Sequence, residues 1–307
     1  MLNLFVAITD QEWFEFLRRR PELTEVNFWQ PRGTKAFRAL QPGELFLFKL
    51  HSPLNYVVGG GVFSHSTTLP LSLAWEAFGE ANGAPSLETM RLRISRYRRE
   101  PLDPRADHEI GCRILTQPVF LNEAEWLPVP QSWSKETQVG KRYSLDDEEG
   151  RTLWDVIESR LSLAAPSSGF AEAPARYGEP TLIRPRLGQG AFRIAVTDAY
   201  GRKCSVTRER VLPVLEAAHI RPYAEGGVHD ISNGLLLRRD LHKLFDLGYV
   251  TITPNHVFEV SRRIHEEFDN GREYYAMSGR AIDVPNSSLL RPSTEFIEWH
   301  NNNRYLG

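Results

Sequence analysis

The amino-acid sequence predicts an α+β protein that folds as two domains. Its 307 residues are enough for two separate cores, and its fractions of 41% hydrophobic and 25% charged residues are typical of a globular chain. Residues Ala164–Pro180 contain almost no large aliphatic side chains and are dense in Ala, Pro, Ser and Gly, which indicates a linker. Short strand-like runs mixed with a few helical patterns lie on both sides of this stretch.

The amino-terminal part contains both kinds of element. Apolar runs bounded by turn residues predict strands, and apolar residues at helical spacing predict helices. The predicted strands are Leu4–Ile8, Leu45–Leu50, Tyr56–Phe63, Gly111–Leu115 and Pro118–Leu121. The predicted helices lie around Trp13 and over Ser72–Phe78, Ser86–Arg98 and Asp146–Leu163. This order favours a small curved or barrel-like sheet.

The carboxy-terminal part has a loop rich in Gly and Asp between its strands and helices. The predicted helices are Gln189–Tyr200, Arg238–Phe245 and Ser293–His300, the last of which begins after Pro292. The predicted strands are Cys204–Thr207, Val214–Ile220 and Val257–Val260.

Several classes of protein are excluded by composition. Cys112 and Cys204 are too few for a disulfide framework or a four-cysteine zinc site. No apolar run approaches the roughly 20 residues of a membrane span, and Asp10, Glu12 and Glu15 interrupt any signal-peptide pattern. We therefore expect a reduced, cytoplasmic setting.

The charge is unevenly distributed along the chain. The formal net charge is −2, but Thr181–His265 holds 13 basic and 8 acidic residues, which gives this segment a charge of +5. A basic segment within a mildly acidic protein indicates a local phosphate-binding face, with a solvated surface as the alternative.

The chemistry is concentrated in Leu215–Gly248. His219 ends a strand-like run, Asn233 follows a polar loop 14 residues later, and His242 lies 9 residues further on in a helix. Asp246 lies four residues after His242, so the two side chains share a helix face and can hold a divalent ion. A neutral imidazole opposite that ion can take a proton from an attacking water.

The motif AAHI…N…LLxxDLHxLFD resembles that of the HNH (ββα-metal) nucleases, in the branch found in bacterial restriction-type endonucleases. The resemblance covers residues 184–246 well. It implies a metal-dependent DNA endonuclease in which His219 is the general base, Asn233 fixes the loop and His242 is a metal ligand. Asp246 occupies the position of a second helical ligand in some members.

One departure from the family concerns the metal. Many members have an acidic residue or a histidine directly before the base, where this chain has Ala218. The ion is then held by His242, Asp246 and waters, or by a substitute such as Glu216 or Asp240. Mg²⁺ or Mn²⁺ is expected, with Ni²⁺ and Zn²⁺ as alternatives.

Basic and histidine residues near the motif have several interpretations. Arg238 and Arg239 are candidates for contacts with flanking phosphates, and solvent exposure alone is the alternative. Arg186 is a third candidate, with a salt bridge inside the domain as the alternative. The other histidines of this region, including His229 and His265, are expected to be structural or surface residues.

The segments Asn27–Phe37, Leu40–Phe63 and Pro70–Ser86 resemble the PUA-like group, which includes EVE, ASCH and SRA-type domains. The resemblance implies a curved β-barrel domain that binds nucleic acid, often at a flipped modified base. The candidate walls of the base pocket are Phe28, Trp29, Tyr56 and Trp75. The candidate phosphate contacts are Lys49, His51 and Arg32. Each aromatic side chain has a place in the hydrophobic core as its alternative.

Together these patterns predict a PUA-like recognition domain at 1–165, a linker at 166–180 and an HNH endonuclease domain at 181–307. The predicted function is restriction of double-stranded DNA that carries methylated or hydroxymethylated cytosine. The alternatives are an HNH nuclease for unmodified sequence or structure, and a catalytically inactive DNA-binding module. A homodimer would supply the two centres that a double-strand break requires.

Overall fold

The computed structural model describes residues 2–33, 37–98, 103, 106–164 and 181–307. The chain divides into two compact units, Met1–Gly188 and Gln189–Gly307. The predicted linker at 166–180 lies outside the described residues, and the predicted domain limits stay predictions. Across the described residues, no helix is both long enough and apolar enough to cross a membrane.

The amino-terminal unit is built around one sheet. Its strands are β1 (Asn3–Thr9), β2 (Glu25–Gln30), β3 (Leu45–Leu50), β4 (Tyr56–Pro70), β5 (Glu109–Phe120), β6 (Leu127–Pro128) and β7 (Gly140–Ser144). Its helices are α1 (Gln11–Leu17), α2 (Leu71–Phe78), α3 (Leu87–Arg98) and α4 (Glu148–Ala164). The predicted strands Gly111–Leu115 and Pro118–Leu121 are one continuous strand, and the strand from Tyr56 extends seven residues beyond its predicted end.

The strand order in this sheet is β2-β5-β4-β3-β1-β7, and β6 pairs with the first two residues of β4. β1 and β3 are parallel, and the other pairs are antiparallel. Register shifts at Phe48/Lys49, Gly60/Val62 and Phe63/His65 interrupt the ladders, and such bulges bend a sheet. The α+β class is confirmed, and in the described part of the chain the strand path does not close into a barrel.

The core of this unit explains why these segments are strands. Every residue of β3 is buried, as expected for a strand in the middle of a covered sheet. Trp154 of α4 is fully buried among residues of β1, β3 and β4. A Cβ atom on Gly60 would lie 2.9 Å from the carbonyl oxygen of Phe46, so the glycine run of β4 permits the close approach of β3.

The carboxy-terminal unit is smaller and contains two strand pairs. Its helices are α5 (Gln189–Ala199), α6 (Arg239–Asp246), α7 (Arg263–Phe268), α8 (Arg272–Tyr275) and α9 (Thr294–Asn303). Its strands are β8 (Leu215–His219), β9 (Gly234–Arg238), β10 (Val250–Ile252) and β11 (Phe258–Val260), paired β8 with β9 and β10 with β11.

The predicted strand at Cys204–Thr207 is wrong, because these residues form a turn. The amide of Arg208 donates to the carbonyl of Cys204, and the amide of Cys204 donates to the carbonyl of Glu209. Cys204 is fully buried in the core. The β-propensity of Val206 and Thr207 is overridden by this local hydrogen bonding and by the burial of Cys204.

Strands β8 and β9 and helix α6 carry or position the side chains of the candidate site. β8 and β9 are antiparallel with His219 opposite Gly234 and Glu216 opposite Leu237. α6 begins directly after β9. Leu241 and Phe245 of α6 are buried in the same core as Leu235 and Leu237 of β9. The opposite face of α6 is therefore left to the polar side chains of the motif.

Candidate active site

His219 is held between an aromatic ring and a second histidine. Its imidazole stacks on Phe192 of α5, with ring centroids 3.9 Å apart and planes 13° from parallel. Its Nε2 lies 2.9 Å from Nδ1 of His229. Burial lowers the pKa of His219 to about 4, and the charges of His229 and His242 act in the same direction. The ring is therefore neutral at pH 7, which a general base requires.

His229 is a residue of this site that sequence reasoning missed. It was predicted to be structural or at the surface, yet it is hydrogen-bonded to His219 and stacks on Tyr223 with ring centroids 4.6 Å apart. Burial lowers the pKa of His229 as well. The available signal in the sequence was its place four residues before Asn233, in the loop that returns to β9.

Asn233 fixes the loop between β8 and β9. The residue is fully buried. Its Oδ1 accepts from the amide of Arg221 at 2.9 Å, and its Nδ2 donates to the carbonyls of Arg221 and Val228, each at 2.9 Å. Three hydrogen bonds from one buried amide join both ends of the loop.

His242 lies between two carboxylates. Its Nδ1 is 2.8 Å from Oε2 of Glu216, and its Nε2 is 3.4 Å from Oδ2 of Asp246. Burial opposes ionisation of Glu216, but hydrogen bonds and charges from His242 and Arg239 outweigh it and lower the pKa of Glu216. When His242 is neutral, as a metal ligand must be, its Nδ1–H can donate to Glu216, and the lone pair is then on Nε2, on the side of Asp246.

The geometry fits a metal site with two protein ligands. Among the described residues, no group of three or more His, Cys, Asp or Glu side chains is arranged to hold an ion. The 3.4 Å between His242 Nε2 and Asp246 Oδ2 is long for a hydrogen bond. The two atoms lie on one face of α6, so both could bind the same ion. A histidine that binds a metal through one nitrogen commonly donates its other ring N–H to a carboxylate, and Glu216 provides that carboxylate for His242.

Two residues considered as substitute ligands have other partners. Asp240 binds Arg238 through two hydrogen bonds of 2.7 Å and also accepts from Tyr274. Glu216 faces the nitrogen of His242 that points away from Asp246. Ala218, at the position of the missing ligand, is fully buried in the core. A larger polar side chain there would be directed into apolar packing.

The predicted phosphate contacts differ in their surroundings. Arg238 is committed to Asp240, while Arg239 is exposed and pairs with Glu216 at 2.9 Å. Arg186 is exposed and lies at the end of the amino-terminal unit. Glu216 pairs with both Arg239 and His242, so Arg239 is the predicted phosphate contact that lies beside His242.

A second candidate site is a cavity of about 540 Å³ in the amino-terminal unit, a volume within the range of small-molecule pockets. Phe28 and Trp29, the predicted pocket walls, are among its lining residues, as are His51 and Arg32, the predicted phosphate contacts. The other walls include Asp10, Trp13, Gln30 and Tyr97. Gln30 directly follows Trp29 in β2, whereas Asp10 and Trp13 at the start of α1 and Tyr97 of α3 reach the cavity only through the three-dimensional fold.

Tyr56 and Trp75, also predicted for the pocket, do not line this cavity. Tyr56 is the first residue of β4, and its ring centroid lies 5.9 Å from that of Trp126. Trp75 lies on α2. Lys49, predicted near phosphates, is almost fully buried and donates to Oδ1 of Asn55 at 2.7 Å. Burial lowers the pKa of Lys49.

Polar groups converge at one side of the cavity. Asp10 caps α1 by accepting from the amide of Trp13 at 2.8 Å, and the hydroxyl of Tyr97 donates to its other oxygen. Burial, together with the hydrogen bond and charge of Asp10, raises the pKa of Tyr97. The cavity therefore combines aromatic walls with an anionic carboxylate at the start of α1.

Comparisons with known proteins agree with the geometry of the carboxy-terminal unit. Residues 204–253 match the family model HNH_2, described as HNH endonuclease. This match spans β8, β9 and α6, so the carboxy-terminal unit contains an HNH endonuclease domain and the chain is a nuclease. No curated protein matches the sequence.

The chain also resembles solved structures. One is a mutant ASCH protein from Zymomonas mobilis, with 11% identity, 49% of this chain and 93% of that chain covered, and a TM-score of 0.32. The ASCH protein of the same organism has 12% identity, coverages of 49% and 92%, and a TM-score of 0.30. The modification-dependent TagI restriction endonuclease has 12% identity, coverages of 92% and 76%, and a TM-score of 0.30.

Proposed function

We propose that this chain is a metal-dependent DNA endonuclease in which His219 is the general base and His242 and Asp246 hold the ion. The observation that carries the proposal is the contrast between two imidazoles in one β-β-α unit. His219 is packed against Phe192 and is neutral, while His242 lies between the carboxylates of Glu216 and Asp246. These are the environments of a proton acceptor and of a metal ligand.

The residues of the chain have distinct roles in the proposed reaction. His219 removes a proton from the water that attacks the phosphorus atom, and its stack on Phe192 holds the ring in place. Asn233 joins the ends of the loop that faces His219. Glu216 orients His242 through Nδ1. Arg239, exposed at the start of α6, is positioned to contact a flanking phosphate.

A divalent cation held by His242 and Asp246 would offset charge at the phosphate and stabilise the leaving 3′ oxygen. Two protein ligands leave positions for water and phosphate oxygens, as is common for Mg²⁺ and Mn²⁺. The single imidazole also permits Ni²⁺ or Zn²⁺.

The amino-terminal unit is proposed to select modified DNA. The cavity lined by Phe28, Trp29 and Tyr97 offers aromatic surfaces for stacking of a base, and such stacking contributes about 1–3 kcal/mol per base. Asp10 can accept a hydrogen bond from an exocyclic amino group such as that of cytosine. A base turned out of the duplex would offset its unstacking cost through these contacts.

The proposal is tested by digestion of matched plasmids that carry plain, methylated or hydroxymethylated cytosine, with Mg²⁺, Mn²⁺, Ni²⁺ or Zn²⁺. Cleavage of modified DNA alone is expected, and Trp29→Ala should reduce it while Trp75→Ala, outside the cavity, should not. Equal cleavage of all plasmids would favour recognition of unmodified sequence or structure. Binding without cleavage under every ion would favour an inactive DNA-binding module.

A further inference from the structure

His229 contacts the proposed general base, although it has no part of its own in the proposed reaction. Its Nδ1 is 2.9 Å from Nε2 of His219. A neutral imidazole has one N–H donor and one acceptor nitrogen. One ring of this pair therefore donates, the other accepts, and the choice decides which nitrogen of His219 keeps a lone pair.

The nitrogens of His219 differ in their contacts. Nε2 is occupied by His229, and Nδ1 has no hydrogen-bond partner among the described residues. If His229 were the donor, the only lone pair of His219 would be used in this bond. His219 acts as a base only if its Nε2–H donates to His229 and its lone pair is on Nδ1.

We propose that His229 is a positioning residue that accepts a hydrogen bond from Nε2–H of His219 and leaves Nδ1 of His219 free to take the proton of the attacking water. This inference rests on the proposed function for the base role of His219. The hydrogen bond itself is independent of that role.

The position of His229 is fixed from two sides. Tyr223 stacks on its ring with planes 6° from parallel. The carbonyl of Val228, the residue before it, accepts from Nδ2 of Asn233 at 2.9 Å. The buried amide of Asn233 thus holds the backbone that carries His229. Asn233 therefore helps to position His219 through His229.

A neutral imidazole is an unusual acceptor for this task, since a carboxylate would stabilise the charged form of His219. Because His229 adds no negative charge, burial dominates and the pKa of His219 stays low. The other titratable groups that face the pair are Tyr223, stacked on His229, and His242 across the site. The base therefore remains unprotonated over a wide pH range.

The tautomer is tested directly by two-bond ¹H–¹⁵N correlation on the full chain labelled with ¹⁵N-histidine. His219 is expected as the Nε2–H tautomer in the wild type and as a mixture in His229→Ala. The Nδ1–H tautomer in the wild type would overturn the proposal. This readout needs no cleavage, so a wild type that fails to cut DNA contradicts the proposed function and not the hydrogen bond.

The catalytic consequence is tested by pH profiles of kcat/KM for cleavage. His229→Ala is expected to lose at least about tenfold, and His229→Asn should recover most of this because its Oδ1 can accept in place of Nδ1. His229→Asp should move the acidic limb upward by about one pH unit or more. The control is His265→Ala, a similar change at an exposed histidine. Unchanged rates in His229→Ala, no recovery by Asn, or an unmoved limb in Asp would each overturn the proposal.

Discussion

Two histidines of the carboxy-terminal unit stack on phenylalanine rings in almost the same geometry but differ in their hydrogen bonds. His219 stacks on Phe192 with centroids 3.9 Å apart, and His300 stacks on Phe245 with centroids 3.8 Å apart. Burial lowers the pKa of each to about 4. Both nitrogens of His300 have partners, Thr251 and the carbonyl of Phe245. Nδ1 of His219 has no partner in the described part of the chain.

The difference shows that a lowered pKa does not by itself identify a catalytic histidine. A stacked, neutral imidazole with both nitrogens bonded is a structural element, and His300 joins α9 to the end of α6 in this way. The same imidazole with one free nitrogen at the surface of the site can exchange a proton. Substitutions at the two positions should therefore separate catalysis from stability.

The largest effect is expected for His219→Ala. Loss of a general base typically lowers a rate by about 10²–10⁴-fold, and binding of DNA should remain, because the phosphate contacts are elsewhere. Single-turnover cleavage and fluorescence anisotropy with the same DNA measure the two quantities. His300→Ala is the matched control, and its rate should fall only as far as its folded fraction does. Cleavage by His219→Ala near the wild-type rate would contradict the assignment.

His300→Ala should instead destabilise the fold by about 3 kcal/mol. The substitution removes a buried ring together with its two hydrogen bonds, to Thr251 and to the carbonyl of Phe245. Urea unfolding followed by fluorescence gives the free energy of unfolding, and His219→Ala should change it less. Equal losses for the two variants would show that His219 also serves mainly to hold the fold.

Stability should fall as the pH falls from about 6.5 to about 4. The unfolded chain protonates His219 and His300 near pH 6.5, whereas the folded protein does so only near pH 4. Unfolding therefore takes up protons between pH 6.5 and pH 4. The stability that is present above about pH 6.5 is lost as the pH falls through this range. Burial of His300 contributes up to about 3 kcal/mol of this loss. His300→Gln, measured by urea unfolding at several pH values, should reduce the slope. An unchanged slope would contradict the assignment.

A smaller effect is expected for Glu216→Gln. The amide can still accept from Nδ1–H of His242 but carries no charge, and loss of such a partner weakens metal affinity by about 10–100-fold. The midpoint of Mn²⁺ activation and the affinity from calorimetry should shift together. Asp240→Asn is the control, because Asp240 binds Arg238 and Tyr274. A shift as large in Asp240→Asn would argue against a specific role of Glu216.

Much of the carboxy-terminal site is local in sequence and could be predicted. The strand, loop and helix that carry His219, Asn233 and His242 follow one another in the chain. The sequence pattern of each segment is therefore enough to predict which element carries which residue. The pair His242 and Asp246 follows from helical periodicity alone. The structure brings all four residues into one β-β-α unit.

The remaining contacts depend on three-dimensional packing. Glu216 meets His242 across 26 residues because β8 lies beside α6, and His229 reaches His219 because Asn233 sets the path of the loop. In the amino-terminal unit, Phe28 and Trp29 were predicted from one segment. Trp13 and Tyr97 come to the same cavity from helices far away in the chain. Residue types alone do not determine such contacts between side chains that are distant in the sequence.

Metal-dependent cleavage of modified DNA is tested most directly by incubating the purified full chain with supercoiled plasmid that carries modified cytosine. We expect nicked and linear products with Mg²⁺ or Mn²⁺, complete loss of cleavage with EDTA, and recovery of cleavage when the ion is returned. Intact plasmid under all four candidate ions, or cleavage that persists in EDTA, would contradict it.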